Sequence, residues 1–187
     1  VTREQQDAWA ERSHRLAAAS VNKFAQEIAP VEIPQRKGEP VVVDKDEAIR
    51  PATTLETLAN LRPAFGKDGT ITAGNAPGVN DGACAVVLMS EERAQKEGRQ
   101  PLATILGHAE IGVAPKDFPQ TPGLVINELL KKTGKTLDEI DLVEINEAFA
   151  AVALVSNQIA GLTEGKVNVN GGAVALGHPI GASGARI

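Results

Sequence analysis

Residues Asn168 to Arg186 read NVNGGAVALGHPIGASGAR, and their order decides how the chain is folded. A short strand, Val167 to Val169, feeds the Gly171-Gly172 pair. An apolar stretch follows, and then a second glycine loop around His178 that opens a helix at Gly181. Strand, glycine loop and helix start, in that sequence, make a βα unit. Working backward, Leu142 to Ile145 reads as a strand leading into a helix over Glu147 to Ala160. Thr136 and Glu139 cap a short helical start, Pro122 to Thr133 reads as a helix, and Leu102 to Ala109 as the strand before it. Alternation of this kind predicts an α/β fold, with mixed, largely parallel sheets carrying helices on both faces. From Ala148 to the end only Glu164, Lys166 and Arg186 are charged, so these 40 residues are expected in an interior.

The first half is organised differently. Its first fifty residues carry eight Lys/Arg and nine Asp/Glu. Thr2 with Gln5 forms a capping box, and the pattern through Trp9 and Leu16 predicts a helix running toward Ala29, where Pro30 stops it. Val31 to Pro63 is Pro/Gly-punctuated and extended, with a strand-like run at Val41 to Val43 and a helix over Leu55 to Leu61 capped by Thr54. Gly66 to Gly82 is a loop holding five glycines. Ala83 to Met89 is continuously small and apolar, which predicts a strand buried on both faces. Ser90-Glu91-Glu92 opens a helix with acids where the dipole favours them, and Gly98 ends it. Pro101 marks a boundary. Both termini fall at or inside ordered elements, which predicts a piece of a longer chain.

Composition narrows the function. The 187 residues carry a net charge of −5, with 42% hydrophobic and 3% aromatic residues. An acidic balance argues against nonspecific nucleic-acid binding. No apolar run approaches the roughly 20 residues that cross a bilayer, and the expectation is a soluble, cytoplasmic protein. A single cysteine, Cys84, excludes an intrachain disulfide and any multi-thiolate zinc site. Flanked by alanines in an apolar run, Cys84 reads as core packing, since reactive thiols need exposure and a positive environment. The glycines match neither a dinucleotide-binding fingerprint nor a P-loop, and no H-E-x-x-H or C-x-x-C motif implies a metal.

Ligands of parallel α/β sheets bind at the carboxyl ends of strands. Two such ends carry unusual residues. The strand ending at Ile145 runs into Asn146-Glu147-Ala148-Phe149-Ala150. Asn146 reads either as the cap of the following helix, with Glu147 in its first turn, or as an amide facing a pocket. The strand ending at Val169 leads to His178 between Gly177 and Pro179. A lone histidine in apolar surroundings reads as a satisfied core residue. In a glycine loop open to close ligand approach it reads as a base for a thiol or a donor to an oxyanion. His14, in a charged helix, reads as solvated. His108 has no metal-ligand partner at suitable spacing.

With NEAFA at 146–150 and the glycine-histidine motif at 168–186, the chain resembles the thiolase family, acetyl-CoA acetyltransferase type. Arg62 to Phe65 (RPAF), Thr72 to Asn75 (TAGN) and Asn80 to Ala83 (NDGA) extend the resemblance over essentially all 187 residues. It implies the thiolase fold, two similar α/β halves with a loop domain inserted in the first. Residues 1–78 would then be the end of that inserted domain, 79–100 the last strand and helix of the N-terminal half, and 101–187 an incomplete C-terminal half. The resemblance implies acyl transfer between CoA thioesters: two acetyl-CoA to acetoacetyl-CoA plus CoA, or the reverse. CoA serves as substrate, with no separate cofactor, in a homodimer or homotetramer. His178 then resembles the histidine that activates a nucleophilic cysteine and donates to an oxyanion hole, and Asn146 the residue holding a water there. Arg50, Thr57, Leu61, Phe65, Ala73, Ala148 and Phe149 match CoA-contacting positions, and Phe118 a substrate-pocket position. Pro77 stands where the family often has Ser, and it offers neither hydroxyl nor N–H. The family's two cysteine segments are not in this sequence, and Cys84 matches neither. The chain alone is therefore expected to be inactive. A longer-chain 3-ketoacyl-CoA thiolase, or a noncatalytic module binding acyl-CoA or another subunit, are the alternative readings.

Overall fold

A computed structural model describes all 187 residues. Helix α1, Arg3–Ala19, starts where the capping box sets it. Thr2 Oγ1 accepts from Gln5 N at 3.3 Å, and Gln5 Oε1 accepts from Thr2 N at 2.8 Å. It ends eleven residues before the proline that sequence pattern alone would choose. At that point Ser20 donates to Asn170 Oδ1 at 3.2 Å, and the short helix α2, Val21–Phe24, turns away. Strands β1, Val31–Ile33, and β2, Val41–Val43, form an antiparallel pair. Helix α3, Leu55–Ala59, carries its own Thr54–Thr57 capping box. Helix α4, Glu91–Lys96, is capped by Ser90 as expected.

The second half holds helix α5, Thr121–Thr133, after a 3₁₀ segment at Pro115–Gln120. It continues with α6, Ala150–Ala160, the short α7, Ala173–Leu176, and α8, Ile180–Arg186. Helix α5 ends on Gly134 and α6 on Gly161, both left-handed, a standard helix stop. The main core joins Trp9 and Ala10 of α1 with Leu58, Ile145, Val152, Ala153, Val167 and Val174. Helix α1 lies against α6 and α7, and α5 lies along α6.

The parallel sheet is represented by isolated bridges. Val143 pairs with Val167 in parallel, through Val143 N to Lys166 O at 2.9 Å and Asn168 N to Val143 O at 3.0 Å. The expected strands at 83–89 and 102–109 are irregular and exposed. Val87 is 85% and Leu106 72% exposed, and Cys84 is exposed rather than packed in a core. The cause is pairing. A strand exists only beside a neighbour, and among these 187 residues none lies alongside either segment. The low-charge end is likewise interior only in part. Residues 171–175 are buried, whereas α8 buries Ala182 and Ser183 and leaves Ile180 77% exposed. No helix is long and apolar enough to cross a membrane.

Asn168 substitutes for the missing ladder. It sits at φ +46°, a region Asn tolerates better than other non-glycine residues. Its carboxamide pairs with Ile145 as a neighbouring strand would, accepting from Ile145 N at 2.7 Å and donating to Ile145 O at 2.9 Å. Asn168→Ala strands both backbone groups in a buried setting and should lower unfolding stability by about 3 kcal/mol. Denaturant midpoints at unchanged m-value measure this.

Candidate active site

The two strand ends marked by sequence meet around one carboxylate. Glu147 is fully buried, and four groups donate to it. Trp9 Nε1 (2.8 Å) and Asn168 Nδ2 (2.9 Å) reach Oε1, while Ser13 Oγ (2.8 Å) and Val174 N (3.0 Å) reach Oε2. Arg12 lies over the Trp9 ring, 4.7 Å from its centre, and supplies the nearby positive charge. Gly172 approaches so closely that a Cβ there would overlap the Glu147 carboxyl group, and one on Gly171 would fall 2.5 Å from Ser13 O. The Gly171-Gly172 pair is therefore a close-approach requirement set by α1 and Glu147.

This overturns one reading of Asn146 and Glu147. Helix α6 begins at Ala150, with Phe149 extended as its N-cap and Asn75 O accepting from Ala150 N at 2.9 Å. Asn146 caps nothing, and Glu147 is outside the first turn. Asn146 instead lines a small cleft of about 90 Å³ with Glu144, Gly177, Pro179, Ser183 and Arg186. Its Oδ1 is buried with no hydrogen-bond partner. An unpaired buried amide oxygen is costly as packing, and it suits a group kept open for a ligand or water. Glu144 at the same cleft has its carboxyl pushed up to about 7 by burial and by the Glu147 charge.

His178 is half-buried at the start of α8. Its backbone N donates to Gly78 O at 3.2 Å, and its Nδ1 lies 2.7 Å from Ser183 Oγ. Nε2 makes no hydrogen bond within the chain. Gly177 stands at φ +90°, and a side chain there would strike Asn80. The segment 78–82 therefore clamps the histidine loop, and Pro77 immediately precedes the carbonyl that holds it.

A second cleft of about 440 Å³ gathers Arg50, Thr57, Leu61 and Ala73 with His14 and Val174. Phe65 meets Phe149 edge-to-face, with centroids 6.1 Å apart, and Ala148 and Phe149 pack on the main core. Phe118 lies in the 3₁₀ segment against α6 and lines neither cleft. Arg186 forks onto Asp46 through two 2.7 Å bonds, which ties α8 to the loop ahead of Arg50. Sequence reading missed Glu147 as a hub and misplaced His14. His14 is buried, its Nδ1 accepts from Arg50 N at 3.1 Å, and burial and then the Arg50 charge lower its pKa. A lone acid beside the low-charge end and the Gly171-Gly172 pair was the available signal for Glu147. No group of His, Cys, Asp and Glu is arranged to hold a metal.

The fold that carries His178 on its glycine loop near Asn146 is similar to those of solved structures named for acyl-CoA chemistry. The Bacillus anthracis acetyl-CoA acetyltransferase superposes with a TM-score of 0.95 at 49% identity, covering all of this chain and 48% of that one. Human mitochondrial 3-ketoacyl-CoA thiolase gives 0.93 at 45%, covering all of this chain and 47% of that one. Residues 1–92 match the thiolase N-terminal domain and 99–187 the thiolase C-terminal domain, so the chain belongs to the thiolase family. A Thiocystis violacea protein named acetyl-CoA acetyltransferase is 54% identical over 188 residues, and a Staphylococcus epidermidis probable acetyl-CoA acyltransferase is 50% identical. The chain spans about half the length of these curated relatives, 48% in each case.

Burial of neutral His14 carries a pH signature. Its folded pKa lies below the unfolded value of 6.5, so the unfolded state binds more protons as pH falls. Stability should be constant above that value and fall as pH drops through it. His14→Gln should flatten this limb in urea titrations at several pH values.

Proposed function

We propose that this chain supplies half of a thiolase active site that transfers acyl groups between CoA thioesters, taking two acetyl-CoA to acetoacetyl-CoA plus CoA or the reverse. The observation carrying the reading is that the glycine loop presenting His178 and the unpaired amide of Asn146 flank one cleft. His178 Nε2 takes the proton of a nucleophilic thiol and then donates to the oxyanion of the thioester enolate. Asn146 holds a water at that oxyanion, and no metal is involved. The nucleophile and the acid/base thiol belong to segments outside these 187 residues, since Cys84 fits neither role. Residues 79–100 complete the N-terminal half, and 101–187 form most of the C-terminal half, after the inserted domain that ends near 78. Strand partners from the rest of the protein cover the exposed apolar residues at 86–89 and 102–106.

CoA runs along the larger cleft, with its nucleotide end near Arg50 and its pantetheine past Thr57, Leu61 and Ala73 toward Ala148, Phe149 and Phe65. Phe118, which lines neither cleft within this chain, is assigned to the acyl pocket on the family resemblance alone. Support comes from the shared cleft of Arg50, Thr57, Leu61 and Ala73, and from relatives named for acetyl-CoA chemistry. The complete protein is read as a cytoplasmic homodimer or homotetramer. A 3-ketoacyl-CoA thiolase of longer chain length is the second reading, favoured by the structural match to the human mitochondrial protein. Rates on acetoacetyl-CoA against longer 3-ketoacyl-CoA thioesters separate the two.

The complete protein should cleave acetoacetyl-CoA in a CoA-dependent manner, followed at the enolate absorbance. His178→Ala should lower kcat by about 10²–10³-fold or more, as for loss of an oxyanion donor. The 187-residue chain alone should show no turnover. Undiminished activity in His178→Ala would remove the role assigned to that residue.

A further inference from the structure

Ser183 lies one turn into α8 and is 4% exposed. Its hydroxyl has two neighbours, His178 Nδ1 at 2.7 Å and Pro179 O at 3.1 Å. A serine hydroxyl has one proton to give and two lone pairs to receive with. Donation to the carbonyl four residues back is the ordinary bond of a serine in a helix, and it leaves a lone pair facing the imidazole. Pro179 O also receives the backbone N–H groups of Ala182 (2.8 Å) and Ser183 (3.0 Å), and shared donors of this kind are common at helix ends. The same oxygen therefore anchors the helix start and the serine rotor together.

We propose that Ser183 is the positioning residue of the histidine: by accepting from Nδ1–H, it fixes the neutral ring as the tautomer whose bare nitrogen is Nε2. The proposal rests on the reading of His178 as the base of an acyl-transfer site. The proton movement balances simply. A thiol S–H gives its proton to Nε2, leaving a thiolate and an imidazolium. Nδ1–H is unchanged throughout and remains bonded to Ser183 Oγ. The hydroxyl thus accepts from the ring in both the neutral and the charged form, and no group in the pair reorients during transfer. Without it, Nδ1 faces no other acceptor in the chain, and the neutral proton is free to move to Nε2, where it blocks the nitrogen the reaction needs.

The same chain contains a built-in reference. His14 Nδ1 accepts from Arg50 N, so neutral His14 must carry its proton on Nε2, the opposite tautomer. The sequence has three histidines, His14, His108 and His178, so the ring nitrogens of all three resolve in one long-range ¹H–¹⁵N spectrum. Histidine-labelled 187-residue chain, at a pH where the rings are neutral, is expected to show His178 protonated at Nδ1 and His14 protonated at Nε2. Ser183→Ala is expected to move His178 toward Nε2–H or a mixture, with His14 unchanged. Wild-type His178 protonated at Nε2 overturns the proposal. So does a Ser183→Ala chain that keeps His178 at Nδ1–H while His14 still reports a folded site. If Ser183→Ala loses the His14 signature through unfolding, the wild-type tautomer decides by itself. The spectrum needs no turnover, so failure of the acyl-transfer reading would appear in activity of the complete protein and leave this result separate.

Discussion

The buried carboxylate of Glu147 is the constraint around which the remaining structure is arranged. It accepts from α1 through Trp9 and Ser13, from the Val167 strand end through Asn168, and from the start of α7 through Val174. The donor farthest from it along the chain, Trp9, is 138 residues away. A carboxylate removed from water needs donors at both oxygens, and removing one partner of such a set costs far more than the set contributes in isolation. Three features near the cleft follow from this demand. Asn146 precedes the carboxylate and lines the cleft. Gly172 has no side chain because the carboxyl group occupies that space. The loop that carries His178 leaves α7, whose first turn is pinned at Val174.

A second polar lattice supports the first further along α1. Asp7 is forked between Arg3 (2.7 Å) and Asn75 (2.9 Å), and Arg3 also reaches the carbonyls of Leu58 and Leu61. Asn75 in turn caps α6 through its own carbonyl. One face of α1 thus connects the candidate CoA cleft, through α3 and residues 72–75, with the candidate catalytic cleft. That face is polar where a core helix is ordinarily apolar, with Gln6, Asp7, Ser13 and His14 all buried. Stability and site geometry are therefore carried by the same hydrogen bonds.

Much of this was legible in sequence where the cause is local. Thr2 with Gln5, Thr54, Ser90 and Thr136 with Glu139 all cap where their residue types indicate, and the glycine-histidine motif pointed to the family. What was not legible depends on partners far along the chain. Glu147 read as an acid in a helical first turn because nothing nearby reveals that α6 waits for Ala150, where the Asn75 carbonyl receives its first N–H. His14 read as solvated because its partner is the backbone of Arg50, 36 residues on. Ala83 to Met89 read as a buried strand from its apolar run alone. Pattern states what a segment is able to bury, and only a neighbouring strand decides whether it does.

The central claim is that Glu147 holds the two strand ends in register for the site. Glu147→Gln tests it most directly, because it keeps shape while turning one acceptor oxygen into an amide donor that faces Ser13 and Val174, or Trp9 and Asn168. Hydrogen exchange of the Ile145, Gly172 and Val174 amides, compared between wild type and this variant, is the measurement. The account predicts that all three lose protection together, with a loss of global stability of about 3–5 kcal/mol. Wild-type protection at these amides in Glu147→Gln would contradict it.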